Sequence, residues 1–451
     1  MSTVFTIKAS ESQGRRLDPR FYHPVFRKNR VRIEACKHSE VKALCDLSNE
    51  IWDKEHCFQD HFPYVEIGTI NCENGEIGNI EELATVDAPS RAQMVVRSGD
   101  LLVSATRPTR NAIAIVPARV EKAIASTGFL VVRSVKSTVV DPRYLFHVLR
   151  MEFCTKQFDQ YSSGGNYPAI TKDDFRRMVI PLPPLQEQRK IVTELDAAYA
   201  AKRAADAKAT KLLASIDDMV LNELGIAKLL KPDTSLSSRI FTVPATEVLN
   251  GRLDPIAYQP MRRQFYKNVR EGAYETLRLG EVVDVDRRQT DSLDGLTYVG
   301  LENINGSDGA YSPTGEKESI STAVLFRKGE ILFPKLRPYL NKVWLADFDG
   351  AASTEFFPLI PNGITPEYLI AYLRLTQVAK VMTLLMTGNT LPRVQLEDVL
   401  SLPVPIPPRT VQGRIASKAS SIRVEARKLK ADATAALDAA KRGIEKKIVG
   451  H

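Results

Sequence analysis

Apolar residues along this chain change their spacing in the same order twice. Between 60 and 135, the runs PYVEIGTI (63–70), DLLVSAT (100–106), AIAIV (112–116) and FLVVRSV (129–135) carry alternating or β-branched apolar residues bounded by Gly, Asn and Pro. That pattern predicts strands. DPRYLFHVLRMEFCTKQF (141–158) then reads as a helix with a proline start, and TPEYLIAYLRLTQVAKVMTLL (365–385) reads as its twin. A glycine-rich loop follows each. After Pro183-Pro184 and again after Pro407-Pro408 the apolar period lengthens to that of a long helix, and proline is tolerated there because first-turn amides have no intrahelical acceptor. Glu187 falls in the first turn of the first of these helices and complements its dipole.

In the second long helix Val411, Ile415, Ala419, Ile422, Ala426, Leu429, Ala433, Ala436, Ala440, Ile444 and Ile448 recur at steps of three and four. This is a coiled-coil seam sustained over about five heptads. The first has a rougher seam through Ile191, Leu195, Ala198, Ala205, Ala209, Leu212, Ile216 and Val220. Both stripes are alanine-rich, and small side chains let helix axes approach closely, so the economical expectation is that the two helices pack on each other. Antiparallel packing would allow a pseudo-two-fold arrangement with one globular domain at each end of a rod of roughly 60 Å, from about 40 residues at about 1.5 Å rise each. The plainer alternative is two surface helices on separate domains.

Direct alignment of the two halves supports duplication. FTIKASESQGRRLDPRFYHP (5–24) overlays FTVPATEVLNGRLDPIAYQP (241–260) without a gap, sharing Arg16/Arg252, Asp18/Asp254 and Tyr22/Tyr258, which we read as a structural turn seating each domain. YVEIGTIN (64–71) answers YVGLENIN (298–305), RSGDLLVSATRPTRN (97–111) answers RKGEILFPKLRPYLN (327–341), and STGFLVV (126–132) answers STEFFPL (353–359). Finally GGNYPAITKDDFRRMVIPLPPLQEQRKI (164–191) faces GNTLPRVQLEDVLSLPVPIPPRTVQGRI (388–415). A repeat this long is a whole domain used twice, not a solenoid module. The expected fold is α+β: strand-rich domains at 1–182 and 233–406, a first spacer helix and linker at 183–232, and a second spacer helix at 407–451.

Composition narrows the class. A length of 451 residues with 43% hydrophobic content suits two to four packed domains, and disordered or fibrous chains are excluded. The net charge of +8 leans toward a polyanionic partner, weakly by itself. Cys36, Cys45, Cys57, Cys72 and Cys154 are odd in number and lack C-x-x-C spacing, which suits free thiols in a reducing cytoplasm. His56, Cys57 and His61 cluster in the chain, but their spacing fits no standard zinc pattern, so no metal is expected. No apolar stretch approaches a membrane span or a secretion signal, so the expected location is cytoplasmic.

Two similar domains on a fixed spacer can meet a DNA duplex at two half-sites, and because their loops differ the half-sites should differ too. Here the residues resemble a known family, the specificity subunits of type I restriction-modification systems. The resemblance is carried by IPLPPLQEQRKIV (180–192), by the glycine loop GGNYPAIT (164–171) before it, and by the order of recognition domain, long helix, recognition domain, long helix. The second copy departs from it: IPPRTVQGRIA (406–416) keeps the prolines, Gln412 and Ile415 but not Leu-x-Glu. The resemblance implies a non-catalytic reader of double-stranded DNA that recruits two adenine-methylating modification subunits and a restriction or translocase subunit. S-adenosylmethionine, ATP and magnesium would then belong to those partners. Two rivals are the specificity subunit of a type IIB-like system and a coiled-coil scaffold that binds proteins without reading DNA. The chain carries no G-x-x-x-x-G-K-[ST] phosphate loop and no Asn/Asp-Pro-Pro-aromatic tetrapeptide, and Glu40-Val41-Lys42 reads as a solvated face rather than a nuclease motif.

Candidate DNA contacts follow from side-chain chemistry. Arg107, Arg110 and Asn111 in SATRPTRN, and Lys335, Arg337, Tyr339 and Asn341 in PKLRPYLN, lead the set. Arginine fits phosphates or guanine O6/N7, and asparagine fits adenine N6/N7. The matched pair Arg107/Arg337 suits phosphate positioning or fold support, whereas Arg110 against Leu340 suits base readout; for any one of them, capping a strand or pairing with a carboxylate is an equal alternative. Asn166, Tyr167, Asn389, Thr390 and Arg393 in the glycine loops form a second set, because glycine permits close backbone approach, although a helix-to-strand turn would use the same residues.

Overall fold

A computed structural model describes residues 5–6, 18–55, 60–230, 235, 240–249, 255–315 and 320–450. It divides into two compact units: Met1–Ala204 with Asp432–His451, and Ala205–Ala431. Of the Arg-Leu-Asp-Pro turns, Arg16, Leu17, Arg252, Leu253 and Asp254 lie outside the described residues, as do His56 and Cys57 of the metal-like cluster. Asp18 accepts from the Arg20 amide at 2.9 Å and so caps the turn Pro19–Tyr22, and Tyr258 is buried in the second unit.

In the first unit the strands are β1 (His38–Glu40), β2 (Cys45–Leu47), β3 (His61–Val65), β4 (Glu81–Ala84), β5 (Ala92–Val95), β6 (Leu101–Ser104), β7 (Ile113–Ile115), β8 (Ile124–Ser126), β9 (Phe129–Val135) and β10 (Val179–Pro181). They form an antiparallel sheet β2-β9-β6-β7, a mixed sheet β4-β3-β8-β5 with β3 parallel to β8, and the pair β1-β10. The apolar runs of 100–106, 112–116 and 129–135 thus become β6, β7 and β9, as their spacing predicts. PYVEIGTI is strand only to Val65 and then turns through Ile67–Thr69.

The second unit repeats this plan with β11 (Thr276–Arg278), β12 (Val283–Val285), β13 (Gln289–Thr290), β14 (Tyr298–Val299), β15 (Ala323–Phe326), β16 (Ile331–Pro334), β17 (Trp344–Leu345), β18 (Gly350–Ser353), β19 (Phe356–Pro361) and β20 (Pro403–Pro405). Its sheets are β12-β19-β16-β17, β13-β15-β18-β14 and β11-β20. The mixed sheets differ at both edges: β4 flanks β3 in the first unit and among the described residues nothing flanks the equivalent strand β14, while β13 flanks β15 in the second and the equivalent strand β5 ends its sheet.

Each helix expected at 141–158 and 365–385 is in fact two, Pro142–Leu149 with Glu152–Tyr161 and Pro366–Leu373 with Thr376–Leu384. The breaks fall at Arg150-Met151 and Arg374-Leu375, where the second residue is extended. Apolar periodicity runs through a break of this kind, because both segments bury a face in the same core. Each break frees a buried arginine for backbone carbonyls. Arg150 donates to the carbonyls of Ile113 (3.0 Å), Cys72 (3.1 Å) and Glu73 (2.8 Å), and Arg374 to those of Asn341 (2.7 Å), Val343 (2.8 Å) and Gly306 (2.8 Å). Gly75 and Gly309, at φ of +73° and +74°, pass so close that an added Cβ would lie 2.7 and 2.8 Å from these guanidinium groups. Only glycine fits there without displacement.

The long helices span Leu185–Leu224 and Arg409–Val449. In the first unit the start of the first lies beside the end of the second: Ile191 and Leu195 share a core with Leu437, Ile444 and Ile448, and Lys447 lies 3.0 Å from Glu194. In the second unit Ile216, Val220 and Leu224 share a core with Val411, Ile415 and Ala419, and Glu223 pairs with Arg414 at 2.7 Å and Lys418 at 2.8 Å. Packing within each unit is therefore antiparallel. The strict heptad reading fails at Ala436, which is exposed, while Leu437 is buried. A straight helix has about 3.6 residues per turn and drifts against a 3.5 repeat, so the buried stripe moves on by one residue.

The glutamine retained in both proline-led approaches, Gln188 and Gln412, is almost wholly buried. Gln188 accepts from the Asp141 amide (2.8 Å) and donates to the Pro183 carbonyl (2.8 Å), while Gln412 accepts from Thr365 (3.0 Å) and donates to Pro407 (2.9 Å). Each fixes the start of a long helix to the start of the helix after β9 or β19. That is why this residue recurs where its neighbours do not.

Candidate nucleic-acid interface

The two candidate loops of each half are brought together by a backbone bridge. In the first unit Thr106 pairs with Ala169, and Ala169 also pairs with Ser163 across the glycine loop. In the second, Leu336 pairs with Arg393, and Arg393 with Thr387. The segment after β6 or β16 and the glycine loop thus form one surface, a proximity that nothing in their separation along the chain requires.

At its centre stand Arg107 and Arg337, both left-handed at φ of +48° and +49° and both directly before proline. Non-glycine residues pay about 1–3 kcal/mol for such backbone, and a following proline disfavours it further. Each lies at the head of a short 3₁₀ turn, Pro108–Arg110 or Pro338–Leu340, which Asn111 or Asn341 closes in the same region at +67° or +51°. The turn is identical in both halves.

The side chains on it are not. Arg107 donates to the Asn166 carbonyl at 3.2 and 2.9 Å, and its guanidinium lies 4.3 Å from the Tyr167 ring centroid, so the first glycine loop holds it. Leu391 stands where Tyr167 would be, and the exposed Arg337 side chain makes no hydrogen bond or ion pair among the described residues. Arg110 is equally exposed and unpaired among them, and Tyr339 and Leu340 are exposed. Asn166, Asn389 and Thr390 face solvent on the glycine loops, while Tyr167 is 69% exposed. The asparagines that close the turns behave differently. Asn111 donates its amide to the Arg150 carbonyl at 3.1 Å and Asn341 to the Arg374 carbonyl at 2.8 Å, so both are tied into the frame.

Charge separates the halves further. In the second unit Arg393 forks onto Glu355 (2.6 and 2.8 Å), beside Lys335, whose ammonium lies 4.5 Å from the Phe357 ring. The Arg393 guanidinium holds the Glu355 carboxyl below the usual carboxylate range, and burial lowers Lys335 below an ordinary amine. The repeat places Ala105, Gly128 and Ala169 at the positions of Lys335, Glu355 and Arg393. One backbone frame therefore carries three ionic side chains in one half and three small neutral residues in the other. Glu355 escaped the sequence reading, although its signal was present in STGFLVV set against STEFFPL.

The geometry describes a duplicated module, built on a fixed turn with variable side chains, and comparison with known proteins agrees. The family model for the type I restriction modification DNA specificity domain matches residues 34–210 and again 271–428. The chain belongs to that family. It is 23% identical over 308 residues to the type I restriction enzyme EcoDI specificity subunit of Escherichia coli, covering 64% of each chain, and 28% identical over 159 residues to the HindI specificity subunit of Haemophilus influenzae (strain ATCC 51907 / DSM 11121 / KW20 / Rd), covering 34% of each. The chain thus spans just under two thirds of the first relative and about one third of the second. Among solved structures it is similar to a chain from work on complex assembly and conformational transition of the type I R-M system (24% identity, 92% of this chain, 96% of that one, TM-score 0.48) and to the HsdS subunit from Thermoanaerobacter tengcongensis (24% identity, 92% and 95%, TM-score 0.36). Among the described residues no helix is long and apolar enough to cross a membrane.

Proposed function

We propose that this chain is the DNA-reading subunit of a type I restriction-modification complex and that its two bridged loop pairs each read one half of a split, asymmetric site. The observation that carries this reading is the pair of strained left-handed arginine turns, kept in both halves and surrounded by side chains that differ. Strain retained twice supports a demand on the loop's shape, and divergence at Ala105/Lys335, Gly128/Glu355 and Ala169/Arg393 supports two different targets.

In this reading Arg337 and Arg110, being unpaired, take phosphate oxygens or guanine edges, and Arg107 and Tyr167 form a stacked pair against the backbone. Asn166, Asn389, Thr390 and Tyr339 lie at the rim, and Lys335 and Arg393 act with Glu355. The chain itself is non-catalytic. Methylation, translocation and cleavage, with S-adenosylmethionine, ATP and magnesium, fall to two modification subunits and a restriction subunit, and the complex works in the cytoplasm.

The test is sequencing of N6-methyladenine in host DNA with this gene and its partner methyltransferase gene, together and separately. A bipartite methylated motif that needs both is expected; its absence would overturn the reading. A reader making several phosphate contacts must also lose affinity steeply between about 50 and 200 mM salt, and a protein scaffold would not.

A further inference from the structure

The repeat aligns Tyr199 with Arg423 on the long helices and His147 with Ala371 on the helix beneath. In the first unit the Tyr199 ring forms one wall of a cleft: it stacks on His147 at 5.7 Å and lies 5.9 Å from the Arg150 guanidinium. In the second unit the ring becomes a guanidinium and the imidazole a methyl group. The cleft there, of about 290 Å³, is lined by Arg374, Arg423 and Lys430, with the hydroxyl residues Thr210 and Ser307 and the carboxylate of Asp217.

The guanidinium groups around this cleft outnumber the carboxylates that face them. Arg374 is only 6% exposed and donates to neutral carbonyls. Arg423 is part-buried and makes no hydrogen bond or ion pair with its side chain among the described residues. Arg427 reaches Asp308 at 3.6 Å, and Asp217 accepts from the Thr376 amide at 3.0 Å. Arg374, Arg423 and Arg427 therefore face two carboxylates, both already engaged. Burial and the neighbouring Arg423 draw Arg374 down to about 9, so it keeps its charge at neutral pH. Arg374 and Arg423 both feel the charges of Asp217 and Asp308, but neither guanidinium forms a direct ion pair with them among the described residues, and two desolvated guanidinium groups so placed gain from an anion that bridges them.

We propose that this cleft binds a phosphate-class oxyanion between Arg423, Arg374 and Lys430. A guanidinium is weakly hydrated and matches the oxygen spacing of phosphate, and the Thr210 and Ser307 hydroxyls are suited to donate to further oxygens. The ligand is a free anion or the phosphate group of a nucleotide. The corresponding cleft of the first unit, about 410 Å³, has the Tyr199 ring where Arg423 stands and adds the carboxylates of Glu76 and Asp196 to its lining, so it lacks this guanidinium pair.

Titration of the whole chain with inorganic phosphate, and separately with adenosine monophosphate, at ionic strength held constant with chloride, tests this. Calorimetry and the fluorescence of Trp344, the buried tryptophan of the second unit, are the readouts. Saturable phosphate binding is expected, weakened roughly tenfold or more in Arg423→Tyr, which installs the first unit's residue, and in Arg423→Gln, which keeps a polar side chain and removes the charge. Arg270→Ala, at an exposed helix end of the same unit, should leave it unchanged. Tighter binding of the monophosphate identifies a nucleotide as the source, and equal or weaker binding a free anion. Failure of either probe to exceed chloride, or undiminished binding by both Arg423 variants, overturns the site.

Discussion

The two halves of this protein use one backbone for two purposes, and the contrast separates frame from reader. What is identical is expensive: the left-handed arginine before proline, the asparagine that closes the turn, the buried arginine at the helix break, and the glycine that makes room for it. What differs is inexpensive, since each change is at a side chain the frame does not require. Arg107 leans on Tyr167 while the Arg337 side chain is exposed, and Ala105, Gly128 and Ala169 stand opposite Lys335, Glu355 and Arg393. A domain built this way can change its target without being refolded.

The sharpest way to break this division is to remove the frame. Arg150 and Arg374 each hold carbonyls from two separate loops, and charged hydrogen bonds are worth about 1.5–3 kcal/mol apiece, with a further cost for the acceptors left buried. Arg150→Ala and Arg374→Ala should each lose on the order of 4 kcal/mol, confined to the unit that carries the change. The chain's two tryptophans make this readable, because Trp52 is buried in the first unit and Trp344 in the second. Denaturant unfolding followed in Trp52→Phe and Trp344→Phe backgrounds resolves each unit. Unequal losses, or a loss below about 1 kcal/mol, would show that the shared arginines are not a shared frame.

That frame is only partly legible in the sequence. Strands β6, β7 and β9 are readable because alternation is a local property, and the helices are readable from their period. Arg150 and Arg374 are not, because a helix break between two segments facing the same core leaves no mark in apolar spacing. Nor is the bridging of the two candidate loops, since Thr106 and Ala169 meet only through the fold of the chain between them. The side chains of Asn111 and Asn341 suggest a hydrogen-bonding edge for a base, but their tolerance of positive φ is what the turn demands. Gln188 and Gln412 are visible as retained residues, and only the structure gives the reason.

Acid should distinguish the units next. His147 is almost completely buried, its Nε2 2.8 Å from Asp196, and burial outweighs the carboxylate to draw its pKa from about 6.5 down to about 4. An unfolded chain therefore binds a proton at this position, between those two values, that the folded chain refuses. Stability from this group is full above about pH 6.5 and falls as the pH drops toward 4. The loss is about 3 kcal/mol, since one ionisation costs about 1.4 kcal/mol for each pH unit crossed. Ala371 takes this place in the second unit, which lacks the contribution. The Trp52-reported midpoint should drop over this range more than the Trp344-reported one, and His147→Gln should remove the excess. Parallel curves for the two reporters would mean that the nook under Tyr199 is not a dry one.

The smallest expected change tests the reader rather than the frame. Glu355 and Arg393 form a forked pair, with side chains 23% and 40% exposed, so water screens it and Glu355→Gln should cost under about 1 kcal/mol of stability. Its effect on recognition should be larger in kind. With the carboxylate neutral, Arg393 is freed from its partner and the acceptor beside it is weakened. If this pair faces a base edge, discrimination there changes by about 1–3 kcal/mol, roughly tenfold to a hundredfold in preference. The first half carries Gly128 and Ala169 at these positions, so its half-site should be read as before. Methylome sequencing of cells carrying Glu355→Gln should therefore show a motif altered or relaxed in one half only. A change in both halves would mean that the pair acts through the frame, and an unchanged motif at undiminished occupancy would place it away from the bases altogether.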